Sequence, residues 1–171
     1  MNSDPVVLIE TPMGEIKVEI YQGKAPITAG NFLRYVDEGL YDGTTFFRTV
    51  TMDNQPNNDV KIEVIQGGQV PKEKEYPPIL LERTTSTGLK HLDGVISMGR
   101  FEPDSAKSSF FFCIGDQPEL DYGGKRNPDG QGFAAFGKVI EGMDVVRAIQ
   151  VEPREEQRLS PPIEITKIGR V

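Results

Sequence analysis

The stretch Ser108–Gly115, SSFFFCIG, sets three phenylalanines and the only cysteine of the chain in a row between small residues. A run this short, entered from serine and left through glycine, suits a strand better than a helix. Side chains alternate faces along a strand, so Phe110 and Phe112 point one way while Phe111 and Cys113 point the other. Both faces therefore need apolar cover. One can be the core, and the other needs a helix, a packed loop or a ligand.

Outward from this strand the chain reads as more of the same kind. VVLIE and GEIKVEIY flank TPMG, a hairpin in which Ile16, Val18 and Ile20 alternate with Lys17 and Glu19. APITAGNFLRYVDEG follows as a helix, with Thr28 as its N-cap, Ala29, Phe32, Leu33 and Val36 at helical spacing, and Gly39 closing it. TTFFRTV, VKIEVIQGG, GVISMG, SSFFFCIG and GFAAFGKVI are further strands. A short helix is predicted from about Met143 to Gln150, and PPIEITKIGRV gives a last alternating strand. The polar connections Thr51–Asp59, the segment around KEKEYPP and Asp121–Gly132 are rich in turn formers. Many short strands with one early and one late helix predict a mainly β fold, a closed antiparallel barrel with helices over its ends. No repeat or internal linker divides the 171 residues, so they form a single domain, 1–171.

Composition narrows the function. With 37% hydrophobic and 26% charged residues the chain is of the soluble globular class, and its net charge of −7 opposes nonspecific binding to nucleic acid or to an anionic membrane. One cysteine permits no internal disulfide, and one histidine rules out the usual zinc constellations. The N-terminus carries no basic leader or apolar stretch of signal-peptide length. The expected compartment is the cytoplasm, or the periplasm or exterior if an export signal has been removed.

Nucleophilic catalysis is a poor fit. Cys113 stands in an apolar strand, where cysteine behaves as a small hydrophobe, and His91 has no evident partner. The glycines of QGGQ and YGGKRNPDGQG open no clear helix and lack the lysine and hydroxyl of a phosphate loop. More informative is TTFFR, in which strict alternation places Phe46 and Arg48 on one face. By spacing alone Arg48 reads equally as a surface arginine at a strand end, and Gln66 as an ordinary strand-end amide.

The order APITAGNF, FFR, VIQGG, GVISMG, SSFFFC, LD, FGKVIEGMDVV resembles the cyclophilin family of peptidyl-prolyl isomerases from near Val6 to near Ile168. The resemblance implies a closed eight-stranded antiparallel β-barrel capped by two α-helices. It implies rotation about X-Pro bonds, assisting protein folding, without cofactor or metal. The partners it implies are proline-containing peptides and unfolded or folded client proteins, met by a monomer. The catalytic arginine falls on Arg48 and the groove glutamine on Gln66, with Phe111 facing the outer, proline-binding groove. Val64, Phe111 and Leu120 form the proline pocket, and Gly99, Arg100 and Phe101 the edge that binds substrate backbone. Three groove positions depart from the family's common residues: Glu63 replaces a phenylalanine, Glu119 a tryptophan and Phe133 a histidine. The connection from Arg48 to Gln66 is also longer than the usual short turn. A carboxylate beside Arg48 would compete for its donors, and a proline-binding module with little turnover is the alternative on that ground.

Overall fold

Alternation in the first twenty residues becomes an antiparallel pair, β1 (Val6–Thr11) and β2 (Gly14–Ile20), in the computed structural model, which describes residues 4–171. Pro12 and Met13 form the turn, closed by the Thr11 hydroxyl donating to the Gly14 carbonyl at 2.8 Å. The helix that follows, α1 (Pro26–Asp37), begins with proline at its first turn, where the missing N–H costs nothing. Thr28, expected as its N-cap, lies inside that first turn instead. Its N–H and its hydroxyl both donate to the Glu82 carboxylate at 2.6 Å, so a distant anion serves the positive end of the helix. At the other end Gly39 takes φ +68°. There the Gly39 and Leu40 N–H groups donate back to Val36 and Tyr35, ending the helix as its sequence predicts.

Five more strands follow where the sequence places them: β3 (Thr45–Val50), β4 (Val64–Gly67), β5 (Val95–Met98), β6 (Phe110–Cys113) and β7 (Ala135–Glu141). Between β4 and β5 lies a single helical turn, α2 (Thr84–Thr87), and α3 (Met143–Gln150) covers β2, β3 and β4. The last part of the chain departs from expectation. PPIEITKIGRV does not form one strand. It is divided between β9 (Arg158–Glu164) and β10 (Lys167–Arg170), and a two-residue strand, β8 (Arg154–Glu155), precedes β9.

The closed eight-stranded barrel capped by two α-helices is therefore corrected to a ten-stranded antiparallel sheet that is not closed, in the order β10-β1-β2-β7-β5-β6-β4-β3-β9-β8, with three α-helices among the described residues, the added one being the single turn α2. The physical reason lies at Ile165 and Thr166. Ile165 exchanges backbone hydrogen bonds with Gly43 and Thr44 beside β3, and the next N–H, that of Thr166, donates to Glu10 on β1. Within one peptide unit the chain leaves one end of the sheet and joins the other. The two ends are thus tied by the covalent chain, with no ladder between β10 and β8. The alternation breaks at the crossing: Ile163 and Ile165 turn inward, Thr166 and Lys167 are both exposed, and the next buried residue is Ile168, so one polar pair is the only mark of the crossing in the sequence.

The sheet has an apolar cluster on each face. Phe110 and Phe112 belong to the main core with Phe46, Phe136 and, from α1, Phe32. Phe32 and Phe46 meet Phe110 edge-on, with ring centroids 5.5 and 6.2 Å apart. Phe111 and Cys113 belong to a second, smaller cluster with Val50, Ile62, Val64 and Leu120. That face is covered by loops and by a 3-10 turn, Pro118–Leu120.

Candidate active site

Strand register builds the site. Arg48 on β3 pairs with Gln66 on β4, and Gln66 pairs with Phe111 on β6. Residues directly opposite on neighbouring strands share a face, so the three side chains stand in one row across the sheet. Phe46, expected on the face of Arg48, is on the other one, fully buried against Phe110 and Phe112. The cause is a β-bulge. The register shifts between Phe46 and Arg48, so that Phe47 is an extra residue that reverses the parity of the rest of the strand.

Hydrogen bonds fix the row. Arg48 Nη1 donates to Gln66 Oε1 at 2.9 Å, and Arg48 Nε donates to Gln157 Oε1 at 3.0 Å. Gln66 Nε2 donates onward to Ser109 Oγ at 2.7 Å, which sets the amide with its oxygen toward the arginine. Both acceptors for Arg48 are neutral. Two of the five guanidinium N–H donors are used, and the others have no partner among the described residues. Burial pulls the guanidinium below its ordinary value, yet leaves it a cation at neutral pH. Gly99 lies against this network: a Cβ there would sit 2.9 Å from Gln66 Nε2.

Beside the row is a cavity of about 220 Å³. Val64, Phe111, Leu120 and Phe133 supply apolar wall, and Arg48, Gln66, Gly99 and Arg100 line its polar side. A second lobe of about 560 Å³ shares those four polar-side residues and ends at Phe101, which is 89% exposed. The Phe111 ring is held from two sides. Phe133 meets it edge-on at 5.6 Å, and His91 stacks at 6.1 Å. His91 is buried, with Nδ1 2.7 Å from Asp121 and Nε2 2.8 Å from Ser97. This histidine has no access to a substrate and acts as a support for Phe111.

The loop Asp121–Gly132 forms the remaining wall. Arg100, its side chain 1% exposed, clamps that loop through a paired contact with Asp129 at 2.9 and 3.0 Å and a bond from Nε to the Gly132 carbonyl at 2.9 Å. Its guanidinium also lies over the Phe133 ring at 4.8 Å. Sequence reasoning missed Arg126, from the same loop, which lines the cavity. Arg126 Nη1 donates to Gln55 Oε1 at 2.6 Å and to the Val60 carbonyl at 2.7 Å, joining this loop to the long connection after β3. The only sequence signal for it is a pair of basic residues, Lys125 and Arg126, among turn formers.

Glu63 and Glu119, expected in the groove, line neither lobe. Glu63 accepts from Gln150 of α3 at 3.0 Å, and Glu119 accepts from the Lys125 N–H at 3.0 Å. Neither is within reach of Arg48, which removes the competition that motivated a module without turnover. Cys113 is buried and does not line the cavity, and burial pushes its thiol well up, so it stays protonated. Among the described residues no group of three or more His, Cys, Asp or Glu side chains could hold a metal ion, and no helix is long and apolar enough to cross a membrane.

Residues 6–170 match the family model for the cyclophilin type peptidyl-prolyl cis-trans isomerase. A peptidyl-prolyl cis-trans isomerase of Acinetobacter baylyi is 36% identical over 154 residues, 88% of this chain and 74% of the relative. Peptidyl-prolyl cis-trans isomerase B of Escherichia coli is 32% identical, covering 85% of this chain and 84% of the relative. Among solved structures, a cyclophilin type isomerase of Cryptosporidium parvum superposes with a TM-score of 0.78 at 22% identity, covering 98% of both chains. The fold, the matched span and these relatives agree: the chain belongs to the cyclophilin-type peptidyl-prolyl cis-trans isomerases, which turn X-Pro bonds.

Proposed function

We propose that the prolyl bond is turned beside Arg48, with the proline ring seated on Val64, Phe111, Leu120 and Phe133. Resonance sets a barrier of about 18–20 kcal/mol to rotation about the C–N bond. At the twisted transition state the imide nitrogen loses conjugation and gains a lone pair. An N–H of Arg48 donating to that nitrogen is bonded more strongly there than in the planar ground state, and such a difference is what accelerates the step. Lowering the barrier by about 7 kcal/mol would speed exchange roughly a hundred-thousandfold.

The other residues have separable parts. Gln66 holds Arg48 in place and is itself held by Ser109. The Gly99–Phe101 edge binds substrate backbone, and the apolar pocket fixes the ring while the preceding carbonyl swings. Glu63 and Glu119 stand outside the pocket and take no part. The substrates on this reading are proline-containing segments of peptides and of unfolded or folded client proteins, met by a monomer.

The observation that carries the proposal is a partly buried guanidinium with neutral partners and unused donors at the mouth of an apolar cavity. Arg48→Ala is expected to cut kcat/KM for a short X-Pro peptide about 100- to 1000-fold, the cost typical of losing one transition-state donor. Its melting temperature should change little. Exchange NMR giving equal rates for the variant and the wild type would remove Arg48 from the mechanism.

A further inference from the structure

The cavity holds more positive charge than turning a neutral imide requires. Arg48 and Arg126 both line its lobe of about 220 Å³, which has no carboxylate; Glu75 lines the other lobe. Neither arginine takes part in any ion pair among the described residues. Arg100, the third arginine there, is neutralised by Asp129. Arg126 is fixed by Gln55 and Val60, which are neutral acceptors, so its position is set and its charge is not compensated. Burial, and then the nearby Arg48, pull the Arg126 guanidinium below its ordinary value, as two cations in one recess should do.

A narrow recess with apolar walls concentrates such a field, and an incoming anion relieves the repulsion between the two cations. The molecule as a whole carries a net charge of −7, which repels acidic peptides. The attraction is therefore local to this pocket.

We infer that Arg126 is a specificity residue that selects prolyl segments carrying an anionic group, a carboxylate side chain or a phosphoryl group, within about two residues of the proline. The reach follows from size: a cavity of about 220 Å³ takes the ring and little else, and two extended residues span roughly 7 Å. This inference rests on reading the cavity as the proline site.

The test is a set of otherwise identical X-Pro peptides bearing Gln, Glu, phosphoserine or Lys at each position flanking the proline, with kcat/KM measured by exchange NMR. Wild type should favour Glu over Gln by about fivefold to tenfold at low salt, tenfold being 1.4 kcal/mol, and should disfavour Lys. That preference should shrink as salt rises. A gain confined to Glu assigns a carboxylate partner, and a larger gain for phosphoserine assigns a phosphoryl one. In Arg126→Gln the Glu to Gln ratio should fall to about one, while Arg126→Lys should keep part of it. A wild-type ratio of one at every position, or the same ratio in Arg126→Gln, overturns the inference. Arg48→Ala separates the two readings on the Gln peptide. If it leaves turnover of that peptide intact, the proline site itself is misplaced; if it abolishes turnover while the wild-type ratio is one, only the anion preference fails.

Discussion

On β6 the same residue type meets two different fates. Phe110 and Phe112 are sealed in the main core, Phe110 against Phe32 of α1, Tyr41 and Phe46, and Phe112 against Phe46 and Phe110. Phe111, between them in sequence, faces the smaller cluster and borders the cavity. The difference comes from what covers each face. Buried residues of α1 and α3 pack into the inner cluster, whereas loops and a 3-10 turn close the outer face incompletely. The cavity, proposed above as the proline site, is the part of an apolar sheet face that its loops leave uncovered, and Arg48 and Gln66 line it.

The largest expected effect is on the sealed side. Phe112→Ala should cost about 3–5 kcal/mol of stability, because an enclosed ring leaves a cavity that the surroundings cannot fill. Turnover by the fraction that remains folded should stay near wild type. Phe111→Ala removes a ring that already borders open space, so it should cost less, about 2–3 kcal/mol. If the cavity is the proline site as proposed, its kcat/KM should nevertheless fall at least about tenfold, a 1.4 kcal/mol effect. Urea denaturation and exchange NMR on both variants check this. Equal losses of stability and of activity in the two would erase the distinction between the faces.

Cys113→Ser probes the buried part of the outer face more gently. Cys113 pairs with Val64 across β4 and β6 and is buried without lining the cavity. A hydroxyl there lacks the apolar fit of sulfur, and the cost should be about 1–3 kcal/mol. Activity should survive, and iodoacetamide should label the wild-type thiol only on unfolding. Loss of turnover at an unchanged melting temperature would give the thiol a chemical part.

How much of this was legible in the sequence depends on how local the cause is. Alternation in SSFFFCIG separates Phe111 from its neighbours because that strand is regular over its whole length. The parity of β4 likewise keeps Val64 and Gln66 together, and it turns Glu63, an odd number of residues from Gln66, toward α3. The face of Phe46 was not legible, since nothing in TTFFR marks Phe47 as the extra residue of a bulge. Nor was the open sheet, because the partner change at Ile165 depends on where β1 and β3 lie in space. Arg126 comes from a loop without periodicity, and contacts 66 and 71 residues away bring it to the cavity. The burial of His91 behind Phe111 is hidden in part for the same reason: Ser97 is only six residues on, but Asp121, which holds the other ring nitrogen, is 30 residues away.

The smallest expected effect concerns the clamp that makes the loop-covered face dependable. Asp129 holds Arg100, and the hydrogen bonds from Arg100 keep its carboxyl below the usual carboxylate range. A carboxylate whose value is lower folded than unfolded adds stability above its unfolded value, about 3.9. That contribution is lost as pH falls through the lower folded value. The Asp129 side chain keeps 29% of its surface open to water, against 1% for Arg100, and that water weakens the pair from the aspartate side. Asp129→Asn should therefore lower stability at pH 7 by no more than about 1 kcal/mol, Arg100 keeping its bonds to the Phe101 and Gly132 carbonyls. The informative quantity is how the gap between wild type and variant varies with acid. Protonated aspartate resembles asparagine, so urea midpoints that differ at pH 7 should converge as pH falls below about 3.9. A gap constant across that range would mean that the clamp acts through the shape of the loop, with its charge contributing nothing to how the outer face is held.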